Sequence, residues 1–135
     1  MKILALEFSS QQRSVAVTDD ADVLSEITTD QLKTGPLILI EQALEQAQID
    51  REEIQCLALG IGPGSYTGIR SAIAVVQGWQ LARDTPLCAV SSAEILAATA
   101  RRNGQRGKTH FIIDAQRHEY YHCAWQLDDQ AQLET

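Results

Sequence analysis

Residues 60–70 read GIGPGSYTGIR, and this run constrains the fold more than any other part of the chain. Before it, CLALGIG (56–62) is an apolar run suited to a strand buried on both faces. After it, TGIRSAIAVVQGWQLARD carries apolar residues at helical spacing. The glycines between permit positive φ and close backbone approach, and the helix start presents unpaired N–H groups. Such a junction can cradle a phosphate, with Ser65, Thr67 and Arg70 at hand. Equally, it can be a tight strand-to-helix turn with Thr67 as the N-cap. Neither the GxxxxGK[ST] nor the GxGxxG spacing is present, so no standard phosphate loop is matched.

The remaining chain alternates in the same way. KILALEF (2–8), RSVAVTD (13–19) and VLSEITT (23–29) are short runs punctuated by turns and predict an antiparallel meander. Thr34 is placed to cap a helix over 36–48, with Pro36 in its first turn. Asp50 and Glu53 are spaced as a capping box for a further short turn. LCAV (87–90) predicts a strand, and Ser91 with Glu94 a capping box for a helix ending near Gly104. KTHFIIDA (108–115) and EYYHCAWQL (119–127) predict two strands joined by a polar turn. The order βββαβαβα followed by ββ indicates a mixed α/β sheet with helices against it.

With 135 residues, 44% of them hydrophobic, the chain suits one compact domain, or one domain and part of another. No apolar run is long enough to cross a bilayer and MKILALEF lacks a signal-peptide pattern, so a cytoplasmic location is expected. Cys56, Cys88 and Cys123 show no CxxC spacing and lie in apolar runs, where each is expected to be a small buried hydrophobe. A formal charge of −7 opposes direct binding to a phosphate backbone. Basic residues cluster only at Arg101, Arg102, Arg106 and Lys108.

HEYYH (118–122) matches the H-E-x-x-H pattern of zinc proteases, but its surroundings alternate as a strand does. On a strand, residues four apart are separated by roughly 13 Å, whereas zinc–nitrogen bonds are about 2 Å. His118 and His122 therefore cannot share one ion, and nothing in the sequence aims His110 as a third ligand. No metal site is expected.

KILALEFSS, GIGPGSYTGIRSAIAVVQGWQLA, PLCAVSSAEILA and FIIDAQRHEYYHCAW resemble, in order and spacing, the TsaB (YeaZ) family. Its corresponding motifs are D-T-[ST] at the end of the first strand, GPGSFTGIR, V-S-[ST] at a helix start, and D-A-R…E-x-Y in a hairpin. The resemblance spans nearly the whole chain. It implies an actin-like, Hsp70-like (ASKHA, RNase H-like) N-terminal lobe: a mixed five-stranded sheet with helices over 1–106, then over 107–135 the opening hairpin of a truncated second lobe. It also implies a non-catalytic scaffold role in making threonylcarbamoyladenosine in tRNA. The implied partners are a catalytic TsaD-like subunit and a TsaE-like ATPase, with a homodimer in their absence. Older naming calls such proteins glycoproteases, but the resemblance implies no peptidase chemistry.

Three features depart from the family pattern. Glu7 stands where Asp is usual, and the longer carboxylate would displace any water or metal contact near a phosphate. Lys33-Thr34 stands where His-[ST] is frequent. The sequence stops at Thr135, soon after the hairpin.

The candidate phosphate-loop residues are Glu7, Ser9, Ser10, Gly62, Gly64, Ser65, Thr67 and Gly68, although no nucleotide cofactor is expected. The apolar stripes of the two helices are broader than one-sided packing requires, which ordinary core packing between sheet and neighbour also accommodates; the resemblance implies instead a partner interface, with Leu37, Ile40, Leu44, Ile69, Arg70, Ile73 and Val76 as its candidates. No catalytic residue is assigned, Asp114 and Glu119 included. The rival readings are a nucleotide-binding ASKHA protein and a stand-alone homodimer, neither engaged in tRNA modification.

Overall fold

The computed structural model describes residues 1–31, 33–116 and 118–128. A five-stranded sheet runs in the order β3 (Asp22–Thr29), β2 (Arg13–Asp19), β1 (Lys2–Glu7), β4 (Cys56–Gly60), β5 (Leu87–Val90), and a separate two-stranded sheet is formed by β6 (Gly107–Gln116) and β7 (Glu119–Leu127). Strands β1, β2 and β3 make the expected meander. β4 then lies parallel to β1, and β5 parallel to β4. Residues 129–135, the end of the expected second unit, lie outside the described residues.

Alternation decides which face carries the core. Leu4, Leu6, Val15, Val17, Leu57 and Leu59 are buried, while Ala5, Ala16, Cys56 and Ala58 between them are only half-buried. β4 is thus sealed on one face, not on both as its apolar run suggested. Over the sealed face pack α1 (Pro36–Ala47), through Leu39, Ile40 and Ala43, and α2 (Tyr66–Ala82), through Ala72 and Val76. Phe8, just beyond β1, closes the same core. Ser25 on β3 donates to the Ala43 carbonyl at 2.7 Å, fastening α1 to the sheet through a buried hydrogen bond.

The N-cap of α1 is Gly35 rather than Thr34. Pro36 takes the first helical position and biases its predecessor to extended backbone, which places the cap at Gly35 and Thr34 one residue too early. Thr34 instead offers its carbonyl to Arg13 Nη1 at 3.4 Å. Further along, Asp50 donates its N–H to Glu53 at the short 3₁₀ turn Arg51–Glu53, as the spacing predicted. α3 (Ser92–Arg102) also starts on its predicted capping box: Ser91 N–H donates to Glu94 Oε2 at 2.6 Å, and Glu94 N–H to Ser91 Oγ at 3.2 Å. α3 rests against the hairpin of β6 (Gly107–Gln116) and β7 (Glu119–Leu127).

Cysteine burial differs from expectation. Cys88 is exposed and the other two thiols are half-buried. β5 is a sheet edge, so the apolar character of LCAV is not matched by a covering layer.

Candidate functional site

The carboxyl ends of β1, β4 and β5 meet the glycine loop and the N-terminal ends of α2 and α3. The loop is pressed onto the turn that follows β1. Ser65 N–H donates to the Ser9 carbonyl at 2.5 Å, and Ser92 N–H to the Gly62 carbonyl at 2.8 Å. A β-carbon on Gly64 would stand 2.1 Å from the Ser9 carbonyl oxygen, and one on Gly68 would stand 1.9 Å from that of Phe8. Only glycine allows backbones this close. Gly64 and Gly68 are thus required by contacts within the chain itself.

The polar groups of the junction largely pair with one another. Ser9 Oγ and Ser92 Oγ are 3.0 Å apart, and Ser10 Oγ donates to the Gln12 carbonyl at 2.6 Å. Glu7 Oε1 accepts the Ser9 N–H at 2.6 Å. Glu7 Oε2, which lies over Gly60, is buried without a hydrogen-bond partner among the described residues. The α2 cap is Ser65, whose Oγ accepts from Gly68 N–H at 3.3 Å. Thr67, the expected cap, is the second helical residue, because the helix begins at Tyr66. Thr67 is exposed.

The second group of candidates lies on α1 and α2. Ile40 is 5% exposed and Val76 2%, and both belong to the core. They are therefore removed from the expected interface, since the stripe that carries them faces the sheet. Leu44 and Ile73 pack partly against the same core, and Ile69 is half-buried beside Gly62. Leu37 remains on the surface at 67% exposure. Arg70 is exposed as well, its guanidinium 5.2 Å from the Tyr66 ring and its Nη1 donating to Tyr66 Oη at 3.1 Å.

The sequence reading did not single out Tyr66, Ala74, Gly78 and Leu81, which are exposed along one side of α2. Leu81, at 91% exposure, stands out among them. The i, i+4 spacing of Tyr66, Arg70, Ala74 and Gly78 would have found this line once the opposite stripe was assigned to the sheet.

HEYYH lies on β7 except for His118, which occupies the preceding turn at φ 65°. The strand expectation is met, and the helix a zinc protease would need is absent from this segment. Among the described residues, no three His, Cys, Asp or Glu side chains are grouped to hold a metal ion. No helix among them is long and apolar enough to cross a membrane.

Comparison with known proteins places this architecture. The family model described as TsaD, tRNA N6-adenosine threonylcarbamoyltransferase, matches residues 7–132. The tRNA threonylcarbamoyladenosine biosynthesis protein TsaB of Escherichia coli K12 is 30% identical over 131 residues, covering 96% of this chain and 57% of that protein. TsaB of Bacillus subtilis 168 is 30% identical over 125 residues, covering 90% and 53%. The structure of YeaZ from Pseudomonas aeruginosa superposes with a TM-score of 0.84 at 32% identity, over 95% of this chain and 60% of that one. An activator of 2-hydroxyisocaproyl-CoA dehydratase from Clostridium difficile, with bound ADPNP, shares the fold alone, at a TM-score of 0.55 and 14% identity over 93% and 46% of the two chains. The chain spans between half and three-fifths of the length of these TsaB and YeaZ relatives.

Proposed function

The chain belongs to the TsaB (YeaZ) family, and on that premise we propose that it is a non-catalytic subunit supporting threonylcarbamoyl transfer to tRNA adenosine by a TsaD-like enzyme. The observation that carries the reading is the outer side of α1 and α2. Leu37 and Ile38 on α1, and Tyr66 and Leu81 on α2, are large apolar side chains left in solvent. Burying side chains of this size against a partner contributes roughly 1.5–3 kcal/mol each. Between Tyr66 and Leu81, a β-carbon on Gly78 would meet nothing within 4 Å. A glycine inside a helix costs about 1 kcal/mol relative to alanine. No contact among the described residues calls for that glycine, and it leaves room for another helix to approach closely.

The partner is the TsaD-like enzyme, a TsaE-like ATPase joins the assembly, and the free chain pairs with itself through the same helices in the cytoplasm. A net charge of −7 is consistent with contact to the enzyme rather than to the tRNA backbone. Mixing the chain with TsaD from the same genome, followed by size-exclusion chromatography with light scattering, tests the proposal. A heterodimer weakened by Leu37→Asp or Leu81→Asp is the expected result. A homodimer at every mixing ratio would sink it.

The residues at the glycine-loop junction do not fit a nucleotide. Gly64 and Gly68 spend their close approach on the backbone of Phe8 and Ser9, the Ser9 and Ser92 hydroxyls lie within hydrogen-bond distance of each other, and Arg70 is turned outward. Glu7 Oε2 is the one orphaned side-chain atom there among the described residues. The junction thus serves to join the β1 turn to α2. Titration calorimetry with ATP and magnesium should show no binding; a stoichiometric heat lost in Ser9→Ala would reinstate the nucleotide reading.

A further inference from the structure

On the hairpin, His110 stands opposite Ala124 and His122 opposite Ile112, so both imidazoles lie on one face and meet on the diagonal. Diagonal cross-strand neighbours are about 7–8 Å apart, within reach of long side chains. Opposite His110, the small Ala124 leaves space for the ring to lean. His110 Nδ1 lies 2.8 Å from His122 Nε2, with ring centroids 5.1 Å apart and planes within 11° of parallel. The nitrogen contact and the two ring radii together account for the whole centroid separation. The rings are therefore edge to edge, with the two nitrogens facing each other at hydrogen-bond distance.

We propose that His110 and His122 form a two-coordinate protein site for a borderline divalent transition-metal ion such as Zn²⁺, Cu²⁺ or Ni²⁺, with water completing the coordination. Metal–nitrogen bonds of about 2.0–2.1 Å at adjacent positions hold two ligand nitrogens roughly 3 Å apart. That separation already exists here. Each ring has only to swing about its Cβ–Cγ bond, a broad torsion, for the opposed lone pairs to converge. A neutral imidazole with its proton on the inner nitrogen moves it to its outer nitrogen when the metal binds, so that tautomer change involves no net proton loss. Imidazole favours these ions over Mg²⁺ and Ca²⁺, which take oxygen ligands. His118 in the turn is four residues along the chain from His122 and is not part of the set. The site clamps β6 to β7 and is independent of the family reading.

Calorimetric titration of the 135-residue chain with zinc chloride tests the assignment, with circular dichroism showing that each variant folds. One ion per chain is expected, bound at least tenfold more weakly after His110→Gln or His122→Gln, unchanged by His118→Gln, and not replaced by Mg²⁺. Zinc binding that survives the His110→Gln/His122→Gln double change would overturn the site. So would failure of the unaltered chain to bind at millimolar zinc, or an equal loss in His118→Gln.

Discussion

Gly68, in the first turn of α2, lies directly against the carbonyl of Phe8, whereas Gly78, ten residues along the same helix, faces open space. One substitution should therefore act in opposite directions at the two positions. Gly68→Ala forces a β-carbon onto backbone that has nowhere to go and should destabilise by about 1–3 kcal/mol or more. Gly78→Ala should stabilise by roughly 0.5–1 kcal/mol, through lower backbone entropy in the unfolded chain. Urea unfolding of the two variants checks both signs. The same Gly78→Ala change should weaken the proposed complex if a partner helix approaches there.

Gly60 presents a different case, because its obstacle is the end of a side chain. A β-carbon there would fall 1.8 Å from Glu7 Oε2, and the carboxylate can swing aside at the expense of its bond from Ser9 N–H. Gly60→Ala and Glu7→Ala should then be non-additive, with the double variant less destabilised than the sum by about 0.5–3 kcal/mol. Additive stabilities in a double-mutant cycle would show that the two residues do not compete for that space.

Leu37 and Ile40 stand three residues apart on α1 with opposite surroundings. Ile40→Ala should cost about 2–5 kcal/mol, since it opens a cavity between α1 and the sheet. Leu37→Ala should change stability by less than about 0.5 kcal/mol. Thermal melts distinguish them, and a large loss at Leu37 would mean that the outer side of α1 is already covered.

Glu94 links α3 to pH. The Ser91 hydroxyl, and then the Ser91 backbone N–H, hold its carboxyl below the ordinary glutamate value. The folded chain thus holds the Glu94 proton less tightly than the unfolded chain does. Its contribution is complete above the unfolded value, about 4.3, and is lost as pH falls through the lower folded value. The stability difference between the native chain and Glu94→Gln should be constant near neutrality and shrink below about pH 4.5. A difference unchanged from neutral to strongly acidic pH would exclude this linkage.

Much of the fold was legible in the sequence because its signals are local. Period-two runs marked the meander and the hairpin, Ser91 and Glu94 marked the start of α3, and alternation around HEYYH placed it on a strand. The caps of α1 and α2 were each misjudged by a short distance. Gly35 took the place expected for Thr34 because Pro36 restricts its predecessor, and Ser65 took the place expected for Thr67 because α2 starts earlier.

Sequence by itself determined the elements, their order and the family, since periodicity, capping chemistry and the GPGSYTGIR loop are properties of contiguous residues. Only the tertiary structure decided which apolar side chains are free. The run Leu37–Ile40 has four apolar residues, and the position of the sheet buries Leu39 and Ile40 while leaving Leu37 and Ile38 in solvent. Packing likewise put Gly68 against Phe8 and Glu7 over Gly60, and strand register put His110 beside His122. Each of these contacts joins residues from separate elements. Their distances depend on how strands pair and helices settle, which no local pattern encodes.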